Sequence, residues 1–260
     1  MSLIALSKNL HSPMYFYITQ LSLLDIIVST DITPNLLHIV LNDGGTMSLT
    51  GCFTQISFFT AAETSECLLL AVMSWDRYVA ICKPLHYNSI ISHRFCINSV
   101  IITWLLGFLT MMVYTISICS LYYCGPNMIN HFFCDLEPLV KLSCSDASFI
   151  HFEILMICFI GGIIPFMLIV MSYTNIVLTI LKIPSVTGRQ KAFTTCSSHL
   201  IVVSVFCGTL IIVYIIPKGN QTLILTKLLS LFYTVITPLL NPIIYTIRNK
   251  DFMEAFKKIK

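Results

Sequence analysis

The chain has 260 residues, 56% of them hydrophobic and only 10% charged, with a mean hydropathy of +0.85. A soluble domain carries about a quarter charged residues, so this composition excludes a soluble protein and places the chain in a membrane. A formal charge of +3, from 15 Lys and Arg against 12 Asp and Glu, is too mild for a nucleic-acid partner.

Windows of about 20 apolar residues bounded by polar turns mark membrane spans. In chain order they fall at Met14–Val40, Phe53–Trp75, Cys96–Cys119, Phe152–Leu181, Ser197–Ile216 and Leu223–Ile247. Their length and lack of strict alternation predict helices, not barrel strands. The fold class is therefore an all-α membrane protein, a single transmembrane domain over 1–260 with an outer loop at 120–151 and a tail at 248–260.

Within the spans, Asp25, Glu63 and Glu66 are ionisable groups at membrane depth, which are costly and mark function. On the second span Phe59, Glu63, Glu66, Leu70, Met73 and Arg77 follow helical spacing along one stripe, so Glu63 shares the inward face of Glu66 and sits nearer the outside. That span ends in "MSWDRYVAICKPLHY" (Met73–Tyr87), where charge returns abruptly. The reading puts Asp76–Arg77–Tyr78 at the helix end, and an Arg held by a neighbouring Asp there is a two-state element.

The distribution of Lys and Arg sets the orientation. Lys8, Arg77, Lys83, Arg94, Lys182, Arg189, Lys191, Arg248, Lys250, Lys257, Lys258 and Lys260 fall on one side, against Lys141, Lys218 and Lys227 on the other. The first side is read as cytosolic, carboxyl terminus included. Cys52, Cys124, Cys134 and Cys144 then face an oxidising compartment, which suggests two bridges; three pairings are open. In the same loop His131, Cys134 and Asp135 have the residue types of a metal site. In the last span Pro242 predicts a kink, and the tail reads as a short amphipathic helix against membrane lipids. No zinc pattern, nucleophile elbow or phosphate loop appears, so the chain is read as no enzyme.

The run Met73–Tyr87 resembles the M-A-Y-D-R-Y-V-A-I-C-x-P-L-x-Y stretch of vertebrate odorant receptors, a branch of the rhodopsin-like G-protein-coupled receptors. "SPMYFYITQLSLLDI" (Ser12–Ile26), "HFFCDLEPLVKLSCSD" (His131–Asp146), "SYTNIV" (Ser172–Val177), "KAFTTCSSHL" (Lys191–Leu200) and "PLLNPIIYTIRN" (Pro238–Asn249) follow in the family's order. The resemblance implies a plasma-membrane, multi-pass, rhodopsin-like bundle that binds a small odorant and activates a heterotrimeric stimulatory, olfactory-type G protein to raise cyclic AMP. The family has seven spans; only "MSLIAL" precedes the first intracellular loop here, so six of the usual seven helices are expected. The alternatives are a truncated, non-signalling receptor fragment and, from a different class, a six-span transporter or channel; the chain shows no duplicated halves of the transporter kind.

The resemblance also implies residue roles. Ligand contacts would be Phe59, Thr60, Glu63, Thr64, Ile157, Cys158, Gly161, Cys207, Ile211, Tyr214, Leu231 and Thr234. Coupling and activation would use Asp76, Arg77, Tyr78, Tyr173, Arg189, Lys191, Asn241, Pro242 and Tyr245. The implied bridges are Cys52–Cys134 and Cys124–Cys144. Asp25 and Glu66 resemble an internal sodium site, and no other cofactor is implied.

Overall fold

The computed structural model describes residues 12–124, 128–215 and 222–247, with the side chains at 191, 195, 207, 210–215, 222, 223, 226, 246 and 247 outside that description. The tail at 248–260 also lies outside it. Among the described residues the long elements are α1 (Pro13–Leu41), α2 (Leu49–Cys82), α3 (His93–Cys119), α4 (Ser148–Leu181), α5 (Val186–Ile215) and α6 (222–247). Five of these are long and apolar enough to cross a bilayer, and α5 adds the apolar stretch Cys196–Phe206. The fold is an all-α membrane bundle.

Local chemistry explains where the helices start. Pro13 occupies the first turn of α1, where its missing N–H costs nothing. The Ser48 hydroxyl accepts from Gly51 N–H at the start of α2, and Ser92 does the same for Phe95 in α3. Between α1 and α2 the chain reverses through Gly44 at φ +142°, a conformation that favours glycine.

One boundary differs from the sequence reading in a way that matters. α2 does not end at Trp75 but runs 34 residues to Cys82, stopping just before Pro84. At about 1.5 Å per residue that is roughly 50 Å, longer than the ~30 Å hydrocarbon core. Hydropathy reports the end of the membrane, whereas the helix stops only where proline removes a donor. Asp76–Arg77–Tyr78 therefore lie inside a continuous helix, not at its end.

α2 is also the centre of the bundle. Its apolar window is 72% buried, against 17–33% for the other four spans. It packs on α1, α3, α4 and α5, while α1 also packs on α6. Outward residues such as Ile102, Leu105, Leu109 and Ile116 of α3 are exposed, as a lipid-facing surface requires. The α2–α3 contact is close because Gly107 lies over Ala61 and Ser65. Polar pairs reinforce the contacts: Ser57 with Thr115 at 2.6 Å, and Trp104 N–H donating to Gln20 at 3.2 Å.

Two helices are interrupted by wide π-turns, Phe159–Ile163 in α4 and Phe232–Ile236 in α6, features that often mark functional sites. The helix continues through Pro242, and the irregularity of α6 lies upstream of it. An added methyl at Gly107 would stand 2.6 Å from the Ala61 carbonyl oxygen and collide with the Ser65 hydroxyl. Gly107→Ala should thus cost about 1–3 kcal/mol of stability. Gly162→Ala, whose methyl meets nothing within 4 Å, should cost none. Thermal unfolding of the two variants side by side checks this, and equal melting would refute the close approach.

Candidate functional site

Candidate functional side chains lie at three levels along α2. The upper level lies under the loop joining α3 to α4. Cys52 at the start of α2 is bonded to Cys134, and Cys124 to Cys144, with Cα separations of 5.4 and 5.9 Å. The first bond takes up the Cys134 thiolate, so the His131–Cys134–Asp135 metal reading loses its sulfur ligand. Side-chain amides clamp the loop further. Gln55 accepts from Cys134 N–H at 2.9 Å and donates to the Asp31 carbonyl at 3.0 Å, while Asn35 donates to the Phe132 carbonyl at 3.0 Å.

Those fastenings bury Phe132 and Phe133 over the bundle. Phe59 of α2 is buried with its ring 5.5 Å from Phe133 and 6.1 Å from Tyr233 of α6. Glu63, one turn down, keeps part of its surface accessible although its neighbours Ala62 and Thr64 are buried. Its electrostatic surroundings are Glu66 below and Asp135 above. Thr64 packs on the α4 π-turn, where a Cβ on Gly161 would meet it at 3.2 Å. Ile157, Cys158 and Leu231 are half-buried around the same space.

Two predicted contacts behave differently. The Thr60 hydroxyl donates to Ile56 C=O at 2.7 Å and that of Thr234 to Ser230 C=O at 2.6 Å. In an apolar environment such hydroxyls satisfy themselves on their own helix, so they contribute bulk more than donors. Cys207, Ile211 and Tyr214 lie on α5, but their side chains are outside the described ones. A separate cavity of about 160 Å³ opens between α1, α2 and α3 on Ile27, Phe58 and Trp104. Phe58 is 43% exposed on the side of α2 turned away from the bundle, so that cavity belongs to the lipid face.

The middle level is polar and buried. The Asn241 amide donates to Asp25 Oδ1 at 2.9 Å and reaches Glu66 Oε1 at 3.4 Å, joining α6, α1 and α2. Asp25 Oδ2 and Asn241 Oδ1 are buried without a hydrogen-bond partner. Oxygen atoms of this kind, two of the groups being acids, fit a monovalent cation of the sodium type. Asn241, which the resemblance assigns to coupling and activation, lies beside Asp25 and Glu66.

The lower level surrounds Arg77. Asp76 is wholly buried; one oxygen is paired with Arg77 and the other accepts from the Tyr87 hydroxyl at 2.7 Å. Tyr173 and Tyr245 are buried within electrostatic reach of Arg77. The Tyr173 hydroxyl meets His199 Nδ1 at 2.6 Å, and the rings stack at 5.7 Å. Tyr245 leaves its hydroxyl unpartnered. Tyr78 points elsewhere, tilted against Trp75 at 5.2 Å beneath the Lys83 ammonium. Arg189 is exposed and donates to the Ile183 carbonyl at 3.2 Å, Pro242 is exposed, and the Lys191 side chain is outside the described ones. His199 was missed by sequence reading; a lone His in the apolar run "CSSHL" was its only signal.

Comparison with known proteins agrees with this architecture. A family model described as "Olfactory receptor" matches residues 1–260. The human olfactory receptor 10AG1 is 46% identical over 99% of this chain and 85% of its own length. The rat olfactory receptor 1468 is 44% identical over 99% of this chain and 82% of its own. The mouse olfactory receptor 5G26 is 46% identical over 97% and 80% respectively.

The loop over the pocket carries a titratable group outside the membrane. His131 packs between Phe132 and Phe133, at 4.7 and 4.6 Å between ring centroids. Burial first, and the Lys227 ammonium second, hold its pKa down to about 4. The folded state thus keeps His131 neutral where the unfolded chain, near 6.5, takes a proton. Its contribution to stability is present above about pH 6.5 and is lost as pH falls toward 4. The thermal midpoint should drop between pH 7 and 5, and His131→Gln should flatten that drop.

Proposed function

This chain belongs to the olfactory receptor family, and we propose that it is an odorant receptor that takes a small, mostly apolar ligand beneath the disulfide-held loop and couples to a stimulatory, olfactory-type G protein. Family members are receptors and not enzymes. The single observation that carries the coupling half is the Arg77 constellation. A buried Asp76 holds Arg77 by an ion pair, and the ion pair is itself held by Tyr87. Release of Arg77 toward Tyr173 and Tyr245 is a discrete rearrangement of charge, the kind of two-state element a receptor needs. The excess of Lys and Arg at this end supports its placement, with the carboxyl terminus, on the cytosolic side of the plasma membrane.

The ligand half is supported by the upper level. Phe59, Phe133 and Tyr233 offer aromatic surface, and few polar groups converge there, as in sites for small apolar molecules. The loop that covers the space is pinned to the tops of α1 and α2, so a ligand pressing on Phe59 acts on the same helix that carries Arg77. The distance between them is roughly 27 Å at about 1.5 Å per residue.

In the middle level, Asp25, Glu66 and Asn241 would hold a sodium ion, which supplies positive charge to two acids that cannot both ionise alone. Exchanging sodium for potassium should lower the thermal midpoint of the native chain and leave Asp25→Asn unmoved. No difference between the two cations in the native chain would remove the ion from the reading.

For coupling, Arg77→Ala should abolish the cyclic-AMP reporter signal at matched surface expression. Tyr87→Phe, which removes one restraint on Asp76, should instead raise the basal signal about two- to tenfold, the effect of losing a hydrogen bond of ~0.5–1.5 kcal/mol. Retained signalling in Arg77→Ala would refute the role of Arg77.

A further inference from the structure

The cavity of about 160 Å³ between α1, α2 and α3 belongs to none of the three levels along α2 and opens toward lipid. Its floor is Ala61, Ala62 and Ser65 of α2, all buried, and its walls are Ile27 of α1 and Trp104 of α3. Phe58 and Phe108, 43% and 45% exposed, form the rim. The depth is that of the bilayer centre. Ile27 is the middle residue of α1 (Pro13–Leu41), about 21 Å from either helix end at about 1.5 Å per residue. A solute reaches such a place through the hydrocarbon, so it is small and uncharged.

The polar side chains on this space are already engaged. The Trp104 indole N–H donates to Gln20 Oε1 at 3.2 Å, and the Ser65 hydroxyl donates to the Thr103 carbonyl at 3.3 Å. The walls therefore ask an occupant for no hydrogen bond, and an occupant with a donor of its own would leave it unpaired. The Trp104 and Phe108 rings stand 6.0 Å apart at 30°, with the Phe58 ring on the same cavity. Rings at such separations favour offset or tilted contact with a further ring. Size gives the last restriction. A dry cavity of about 150 Å³ with apolar walls holds a benzene molecule, and this one has about 160 Å³. A lipid chain end would surrender torsional freedom to lie in it, whereas a rigid ring has none to lose.

We propose that this cavity is a second ligand site, reached from the bilayer, for a small aromatic hydrocarbon of the size of benzene or toluene. The ring lies against Trp104 and Phe108, over Ala61 and Ala62. The site is separate from the space under the disulfide-held loop and does not depend on the reading of that space. Ala61 and Ser65 also form the close contact with Gly107, so an occupant buttresses the seam between α2 and α3.

Trp104 reports on the site directly, since the chain has two tryptophans, Trp75 and Trp104. Trp75→Phe leaves Trp104 as the single indole of the purified full chain in lipid nanodiscs. Bromobenzene, a heavy-atom quencher, should quench it along a saturable curve, and toluene should restore the emission by displacement. N-acetyl-tryptophan octyl ester in empty nanodiscs should show only a linear rise of quenching with bromobenzene. Ala62→Leu, which fills the floor, should abolish the saturable part and keep the linear one. If Ala62→Leu does not fold, Ile27→Phe at the half-buried wall decides in its place. Purely linear quenching of Trp104, or a saturable part that survives filling, overturns the proposal. So does quenching by phosphatidylcholine with brominated chains to which bromobenzene adds nothing, because a lipid chain is then the occupant.

Discussion

One side-chain amide ties the bundle together. Asn241 of α6 donates to acids on α1 and α2, so three helices meet at a buried polar point. In a bilayer the apolar surfaces of helices gain little by leaving lipid for one another, and association relies on close packing and polar contacts. An unsatisfied acid there costs more than in water. The shared amide fixes the depth and rotation of three helices relative to one another. The upper and lower functional levels inherit their positions from it.

α2 runs past that point in both directions. Above it, Phe59 packs on Phe133 of the loop; below it, Asp76 and Arg77 form the restrained pair. A continuous helix between them is stiff, and its flanks are packed closely by Gly107 against Ala61 and Ser65. The π-turns of α4 and α6 contain Gly161 and Thr234. Such turns are local irregularities in otherwise regular helices. The physical picture is a rigid central helix between two adjustable ones.

The restraints at the two ends differ in kind. The loop end is held by covalent bonds and by the amides of Gln55 and Asn35, which do not respond to small changes in potential. The Arg77 end is held by an ion pair and one phenol hydrogen bond, which do. The loop end is thus fixed covalently, whereas the Arg77 end is fixed only by charge and hydrogen bonding. His199, stacked on Tyr173, adds a further polar contact between α4 and α5 at that end.

The sequence by itself determined the membrane class and the family, because apolar length and the run around Asp76–Arg77–Tyr78 are local properties. It also placed Glu63 on the inward stripe of α2, since helical spacing is arithmetic. The end of α2 was not legible from hydropathy, because a helix outlasts the membrane until Pro84 stops it. Tertiary structure alone decided that Asn241 belongs with Asp25 and Glu66. It alone brought His199 beside Tyr173. Each of these pairings joins residues far apart in the chain, and their distances are set by how helices rotate against one another. That rotation is fixed by packing and buried polar contacts between helices, which no single segment encodes.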